Sequence, residues 1–172
     1  FVVKPNNIHT DGVGNNYILF NGYILGIEEH GMGGYYTGTS KLHLYNTSGT
    51  ELYSANLESN ENAIIPAFDS TTIVIGGSSG KLRVYSASNL SLQASKTFSY
   101  TNITPILCDL NADDTKEIVI STDTSVYILD ASLITIASYQ FSNTSLNLKS
   151  IMVADVTGDG KRDIIVVLET KL

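Results

Sequence analysis

The sequence predicts an all-β chain built of four-stranded antiparallel propeller blades, and three observations carry that prediction. One pattern recurs: "KLHLYNTSGTEL" from Lys41, "KLRVYSASNLSL" from Lys81 and "SVYILDASLITI" from Ser125 each read strand, polar turn, strand. The apolar runs span four to seven residues, are rich in Ile, Val, Leu and Tyr, and are bounded by Gly, Asn, Ser and Asp. Those are strand signals. No stretch keeps a helical period, so no helix longer than a turn is expected.

The strands fall in order. Upstream of each repeat lies a matched pair of runs: "NYILF" and "YILGI", "AIIPAF" and "TIVIGG", "ITPILCD" and "EIVIST". A fourth pair, "KSIMVADV" and "DIIVVLE", has no third and fourth run after it. The repeats start 40 and 44 residues apart, and the blades are expected at 17–57, 63–99, 103–142 and, incomplete, 148–172. The first two strands of each unit are nearly unbroken apolar runs, implying burial on both faces. The third alternates, with Lys81 and Arg83 expected outward and Leu82 and Val84 inward. A β-sandwich also uses many short strands, but whole four-strand units repeating regularly favour the propeller. The opening "FVVKP" is expected as an outer strand of a preceding or closing blade. A ring of four blades would still lack strands. The chain is therefore expected to be part of a larger propeller, with missing strands or a self-association partner covering its unpaired edges.

Composition narrows the function. At 172 residues the chain is one domain's worth, long enough to bury a core. A net charge of −7 argues against nucleic acid, which needs a basic face. No run of apolar residues is long enough to span a membrane. The single cysteine, Cys108, excludes an internal disulfide and reads as a small buried hydrophobe in "TPILCDL". No Cys/His spacing suits zinc. Seven of the 17 carboxylates fall within 109–117 and 155–163, which points to a cation rather than to general solubility.

These two stretches occupy the loop between the first and second strands of the third and fourth units. In the first unit the same loop is the tight Asn21-Gly22, and in the second it is "DSTT" from Asp69. "DLNADDTKE" and "DVTGDGKRD" align position for position: Asp109 with Asp155, Asn111 with Thr157, Asp113 with Asp159, Glu117 with Asp163. Position seven, Thr115 or Lys161, offers its backbone carbonyl. Calcium takes six to eight oxygens from carboxylates, carbonyls and water, and side chains at positions one, three, five and nine of a curled loop supply them. An EF-hand needs Glu at position twelve, where this chain has Ile120 or Val166 inside a strand. An Asp-Gly turn held by side-chain-to-backbone bonds is the simpler alternative. Asp114, standing where glycine is usual, is expected to replace it by taking the left-handed conformation.

"VADVTGDGKRDIIVV" resembles the calcium loop of FG-GAP and VCBS propeller repeats, the integrin-α type, and "CDLNADDTKEIVI" resembles a weaker copy. The resemblance implies Ca²⁺ in both loops, with Asp155, Thr157, Asp159, Lys161 and Asp163 holding the first ion. Asp109, Asn111, Asp113, Thr115 and Glu117 would hold the second. It further implies an extracellular or cell-surface module that binds protein or glycan, as in adhesion. The alternatives are the propeller portion of an extracellular enzyme, a polysaccharide lyase or quinoprotein-like, and a structural subunit of a surface assembly. The chain has no Trp, which quinoprotein repeats carry. No base or nucleophile accompanies the acids, so the reading leans away from catalysis.

Remaining features read plainly. The loop 27–41, with Gly31, Gly33, Gly34 and Gly38, presents Tyr35 and Tyr36 as a contact surface or, more simply, is a mobile loop. It lacks the strand-to-helix setting of a phosphate loop. His9, His30 and His43 show no ligand spacing and read as loop or surface residues. Asn46, Asn89, Asn102 and Asn143 head glycosylation sequons, compatible with secretion.

Overall fold

The computed structural model describes residues 8–9, 15–20, 22–29, 38–59, 61, 64–100, 103–122, 124–142 and 146–170. Within them every regular element is a strand. The first sheet contains β1 (Ile8–His9), β2 (Asn15–Phe20), β3 (Tyr23–Glu28), β4 (Thr39–Asn46) and β5 (Glu51–Ser59). The second holds β6 (Ile65–Phe68), β7 (Thr72–Gly76), β8 (Lys81–Ser86) and β9 (Leu92–Thr97). The third holds β10 (Thr104–Cys108), β11 (Glu117–Ser121), β12 (Ser125–Leu129) and β13 (Thr135–Gln140), and the fourth β14 (Leu146–Ala154) and β15 (Asp163–Thr170). Each sheet is an antiparallel meander whose spatial order is its chain order. The all-β propeller-blade architecture expected from the repeat is what the chain adopts. The "FVVKP" segment lies outside the described residues.

The sheets stack face to face through two apolar clusters. Between the first and second lie Leu25, Ile27, Leu42 and Leu44 against Ile73, Ile75, Tyr85 and Leu90. Between the second and third lie Val74, Leu82 and Val84 against Ile103, Ile118, Ile120, Leu129 and Leu133. The strand pleat explains the sorting. Ile73 and Ile75 point to the first sheet and Val74 to the third, because successive side chains alternate faces. The second strands are therefore buried on both faces, as their unbroken apolar sequence implies; Ile118, Val119 and Ile120 are each fully buried. The first strands are only partly so: Ile65 on β6 is 40% exposed.

The outward reading of β8 is wrong for Arg83. Leu82 and Val84 are buried as expected, but Arg83 is only 3% exposed. It faces the first sheet, where Glu61, 22 positions earlier in the β5–β6 connection, takes both guanidinium arms at 3.1 and 3.2 Å. Glu58 bonds Arg83 and Lys81 at 3.1 and 2.8 Å. Ser79 donates to Glu61 as well. A buried guanidinium is tolerated because the fork is matched by a carboxylate of equal geometry. The Lys81 and Arg83 hydrogen bonds hold the Glu58 carboxyl below its ordinary range.

Where blades meet, space is short. An added Cβ on Gly76 would overlap the carbonyl oxygen of Ile103 at the entry to the third sheet. The turns of the second and third outer hairpins each place a leucine in the left-handed region, Leu90 at φ 54° and Leu133 at φ 64°. Both leucines are buried against the preceding blade, at 4% and 3% exposure. Burial of the side chain offsets the backbone cost of about 1–2 kcal/mol.

Candidate metal loops

The loop 109–117 links β10 to β11, and 155–163 links β14 to β15, so both occupy the same end of consecutive blades. Their hydrogen bonds match by position. The first-position carboxylate caps the loop: Asp109 accepts from the N–H of Ala112 and Asp114 at 2.8 and 2.9 Å, Asp155 from Gly158 and Gly160 at 2.6 and 3.0 Å. The fifth-position carboxylate accepts from the seventh N–H: Thr115 to Asp113 and Lys161 to Asp159, each 2.8 Å. The ninth closes the ring by accepting from the second N–H: Leu110 to Glu117 and Val156 to Asp163, each 2.9 Å.

The backbone matches too. Positions four and six are left-handed in both loops, Ala112 at 63° and Asp114 at 66°, Gly158 at 78° and Gly160 at 84°. Asp114 thus adopts the conformation that a non-glycine needs in order to stand in this place. The position-three side chains behave differently. Asn111 donates its amide to Asp113 at 3.0 Å, while the Thr157 hydroxyl donates to Asp163 at 3.3 Å.

Charge is held ready on these loops. The N–H of Thr115 and the amide of Asn111 keep the Asp113 carboxyl below its usual value. The N–H of Val156 does the same for Asp163, with Thr157 adding to it. Apart from Glu117, which is buried, and the half-buried Asp109 and Asp163, the expected ligand residues are exposed. By type the set is all oxygen: carboxylates at one, five and nine, amide or hydroxyl at three, carbonyl at seven. Such hard donors suit Ca²⁺. Among the described residues, however, no three His, Cys, Asp or Glu side chains gather into a metal-sized cluster. The carboxylates are turned onto backbone N–H groups instead.

Adjacent loops also touch through their eighth residues. Lys116 reaches back to Asp69 of the second blade at 2.7 Å, and the N–H of Arg162 donates to the Leu110 carbonyl of the third at 3.0 Å. Asp69 itself closes its short turn, accepting from the N–H of Thr71 and Thr72 at 2.8 Å.

Other expected features resolve as follows. Cys108 is half-buried on β10, and burial, with Glu117 adding to it, pushes its thiol up to about 11. It is inert at neutral pH. His43 is not a loop residue: it sits half-buried on β4 between Glu28 and Glu51, at 3.2 and 2.9 Å. Sequence reading missed this cluster, although the pairing Gly26↔His43 puts Glu28 beside it on the next strand. His30, Tyr35, Tyr36, Asn102 and Asn143 lie outside the described residues. Asn46 folds its side chain under its own hairpin turn, accepting from the N–H of Ser48 and Thr50.

The stacked meanders make this a β-propeller-type chain, and solved structures agree. BBS1N, in a crystal structure with ARL6DN, superposes with a TM-score of 0.63 at 10% identity over 84% of this chain and 43% of that one. BamB from Moraxella catarrhalis gives 0.54 at 14% identity, over 79% of this chain and 38% of that one. A HIRA fragment gives 0.53 at 11% identity, over 82% and 44%. This chain therefore spans less than half the length of these structures. At such identities the likeness is one of fold. No family model matches the chain, and no curated protein is similar to it in sequence.

Proposed function

We propose that the chain is the calcium-braced portion of a larger propeller of the FG-GAP/VCBS type, serving outside the cell or at its surface as a scaffold that binds protein or glycan. The observation that carries this reading is the duplicated loop. Two stretches of different sequence keep the same capping carboxylate, the same closing carboxylate and the same pair of left-handed positions. The ninth-position acid closes each ring on the second N–H and would turn to the ion when calcium binds. Calcium at 155–163 and at 109–117 would pin two long loops that tie neighbouring blades. The role is structural: among the described residues the thiol beside the loop 109–117, Cys108, is pushed up to about 11 and so is not an activated nucleophile. The partner class follows from the scaffold: BBS1N, of similar fold, is seen with a protein bound. Fold alone does not dictate this use, and the sequence resemblance supplies the extracellular setting.

Thermal unfolding with calcium and with chelator tests the reading. At calcium a hundredfold above its dissociation constant, each site adds about 2.7 kcal/mol, which for a chain of this size raises Tm by roughly 5–10 °C. Asp159→Ala, which removes one of the two sites, should remove about half of the calcium-dependent shift. A parent protein that melts at the same temperature in both buffers overturns the calcium reading.

A further inference from the structure

The second sheet lies between two sheets of at least four strands, so the exposure of its outer hairpin is set by neighbours that the structure describes. The turn of that hairpin, between β8 and β9, reads Ser88-Asn89-Leu90-Ser91. Two backbone bonds close it: the Leu90 N–H donates to the Ser86 carbonyl at 3.0 Å, and the Ser86 N–H to the Ser91 carbonyl at 2.9 Å. Leu90 is buried and anchors the turn, whereas Ser88, Asn89, Ser91 and Leu92 are exposed.

Asn89 heads the sequon Asn89-Leu90-Ser91, with no proline at its middle position. On a surface turn of a secreted protein such a sequon accepts an N-linked sugar. The Asn89 carboxamide is engaged through its oxygen: Oδ1 accepts from the N–H of Ser91 at 3.0 Å, an Asx turn. Its Nδ2, the atom that would take the sugar, has no partner among the described residues. Asn89 belongs to neither inter-blade core, and Leu92 beside the sequon is 54% exposed, so a sugar displaces no packed side chain. Asn46, the other sequon asparagine among the described residues, is placed differently. It is half-buried, and its Oδ1 accepts from the N–H and Oγ of Ser48 and from the N–H of Thr50, which holds the carboxamide under its turn.

We propose that Asn89 is an N-glycosylation site, its Nδ2 carrying an oligosaccharide on the outer rim of the second blade. The donor is a lipid-linked oligosaccharide, and a membrane transferase outside this chain performs the step. A bond forms between Nδ2 of Asn89 and C1 of the first sugar. The bond from C1 to the oxygen of the lipid pyrophosphate breaks, the pyrophosphate leaves with its electron pair, and one amide proton passes to a base of the transferase. Nothing is oxidised or reduced. The inference rests on the extracellular setting of the proposed function and not on calcium.

The test expresses the whole chain behind a secretory leader in a eukaryotic host. Secreted and retained protein are both mapped by peptide mass before and after an amidase that cleaves glycosyl-asparagine in water labelled with heavy oxygen. Most chains should carry an oligosaccharide at Asn89, which the amidase removes, leaving a heavy-oxygen aspartate at that position. Asn89→Gln and Ser91→Ala should abolish the label, whereas Ser91→Thr, which keeps the hydroxyl, should retain it. An unmodified Asn89, a sugar on Asn89 that survives Ser91→Ala, or a sugar on Asn46 in place of Asn89 would each overturn the proposal. These outcomes leave the extracellular reading standing, because the leader supplies the route. Surface labelling of the chain in its own cells tests that reading separately, and a chain found wholly inside contradicts it.

Discussion

The Nζ of Lys116 lies 2.7 Å from Oδ2 of Asp69, joining the long loop of the third blade to the tight turn of the second across 47 positions of sequence. Burial pushes the Asp69 carboxyl up, but the Lys116 ammonium and the N–H groups of Thr71 and Thr72 outweigh it, leaving the group below its ordinary range. Because the folded value is depressed, this contribution is complete above the unfolded value of about 4 and is lost as pH falls through the folded value. Lys116→Met should cost no more than about 1 kcal/mol, since the lysine is partly exposed. Asp69→Ala also strands two N–H groups and should cost about 1–3 kcal/mol at pH 7, with the deficit shrinking toward pH 3. Urea denaturation at both pH values measures it.

Arg83 and Glu61 predict the largest single loss. Removing one partner of a buried pair leaves the other charge uncompensated, so Arg83→Met should destabilise by about 3–5 kcal/mol. Replacing both with apolar residues of similar volume should recover most of it. If the single substitution costs less than about 1 kcal/mol in equilibrium unfolding, the pair is not buried as described.

Backbone conformation separates residues that look alike. Ala112 is left-handed and exposed, so Ala112→Gly relieves strain with little packing lost and should stabilise by about 0.5–1 kcal/mol. Leu133→Gly relieves the same strain but empties a buried position, and should destabilise by about 1–2 kcal/mol net. Opposite signs in parallel urea titrations are expected.

Gly76→Ala should open the junction between the second and third blades. The new methyl meets a backbone carbonyl that cannot rotate away, at a cost of about 1–3 kcal/mol. Amide exchange should quicken first at Ile103 and β10.

The strands were legible because each depends on its own residues: alternation, β-branching and bounding Gly, Asn and Asp act within a few positions. The match of 109–117 with 155–163 was legible for the same reason, and the left-handed Asp114 followed from the glycine at its aligned position. Arg83 was not legible, because what permits its burial is Glu61 in a connecting segment of a different unit. His43 was misread likewise: its two carboxylates, Glu28 and Glu51, come from neighbouring strands.

Calorimetric titration of Ca²⁺ into the chelator-stripped chain tests the central claim most directly. The account predicts two saturable sites, one lost in Asp159→Ala and the other in Asp113→Ala, with the ion at 155–163 bound more tightly because glycine fills both left-handed positions there. A titration without saturable binding up to about 1 mM, the weak end for extracellular calcium modules, would contradict it.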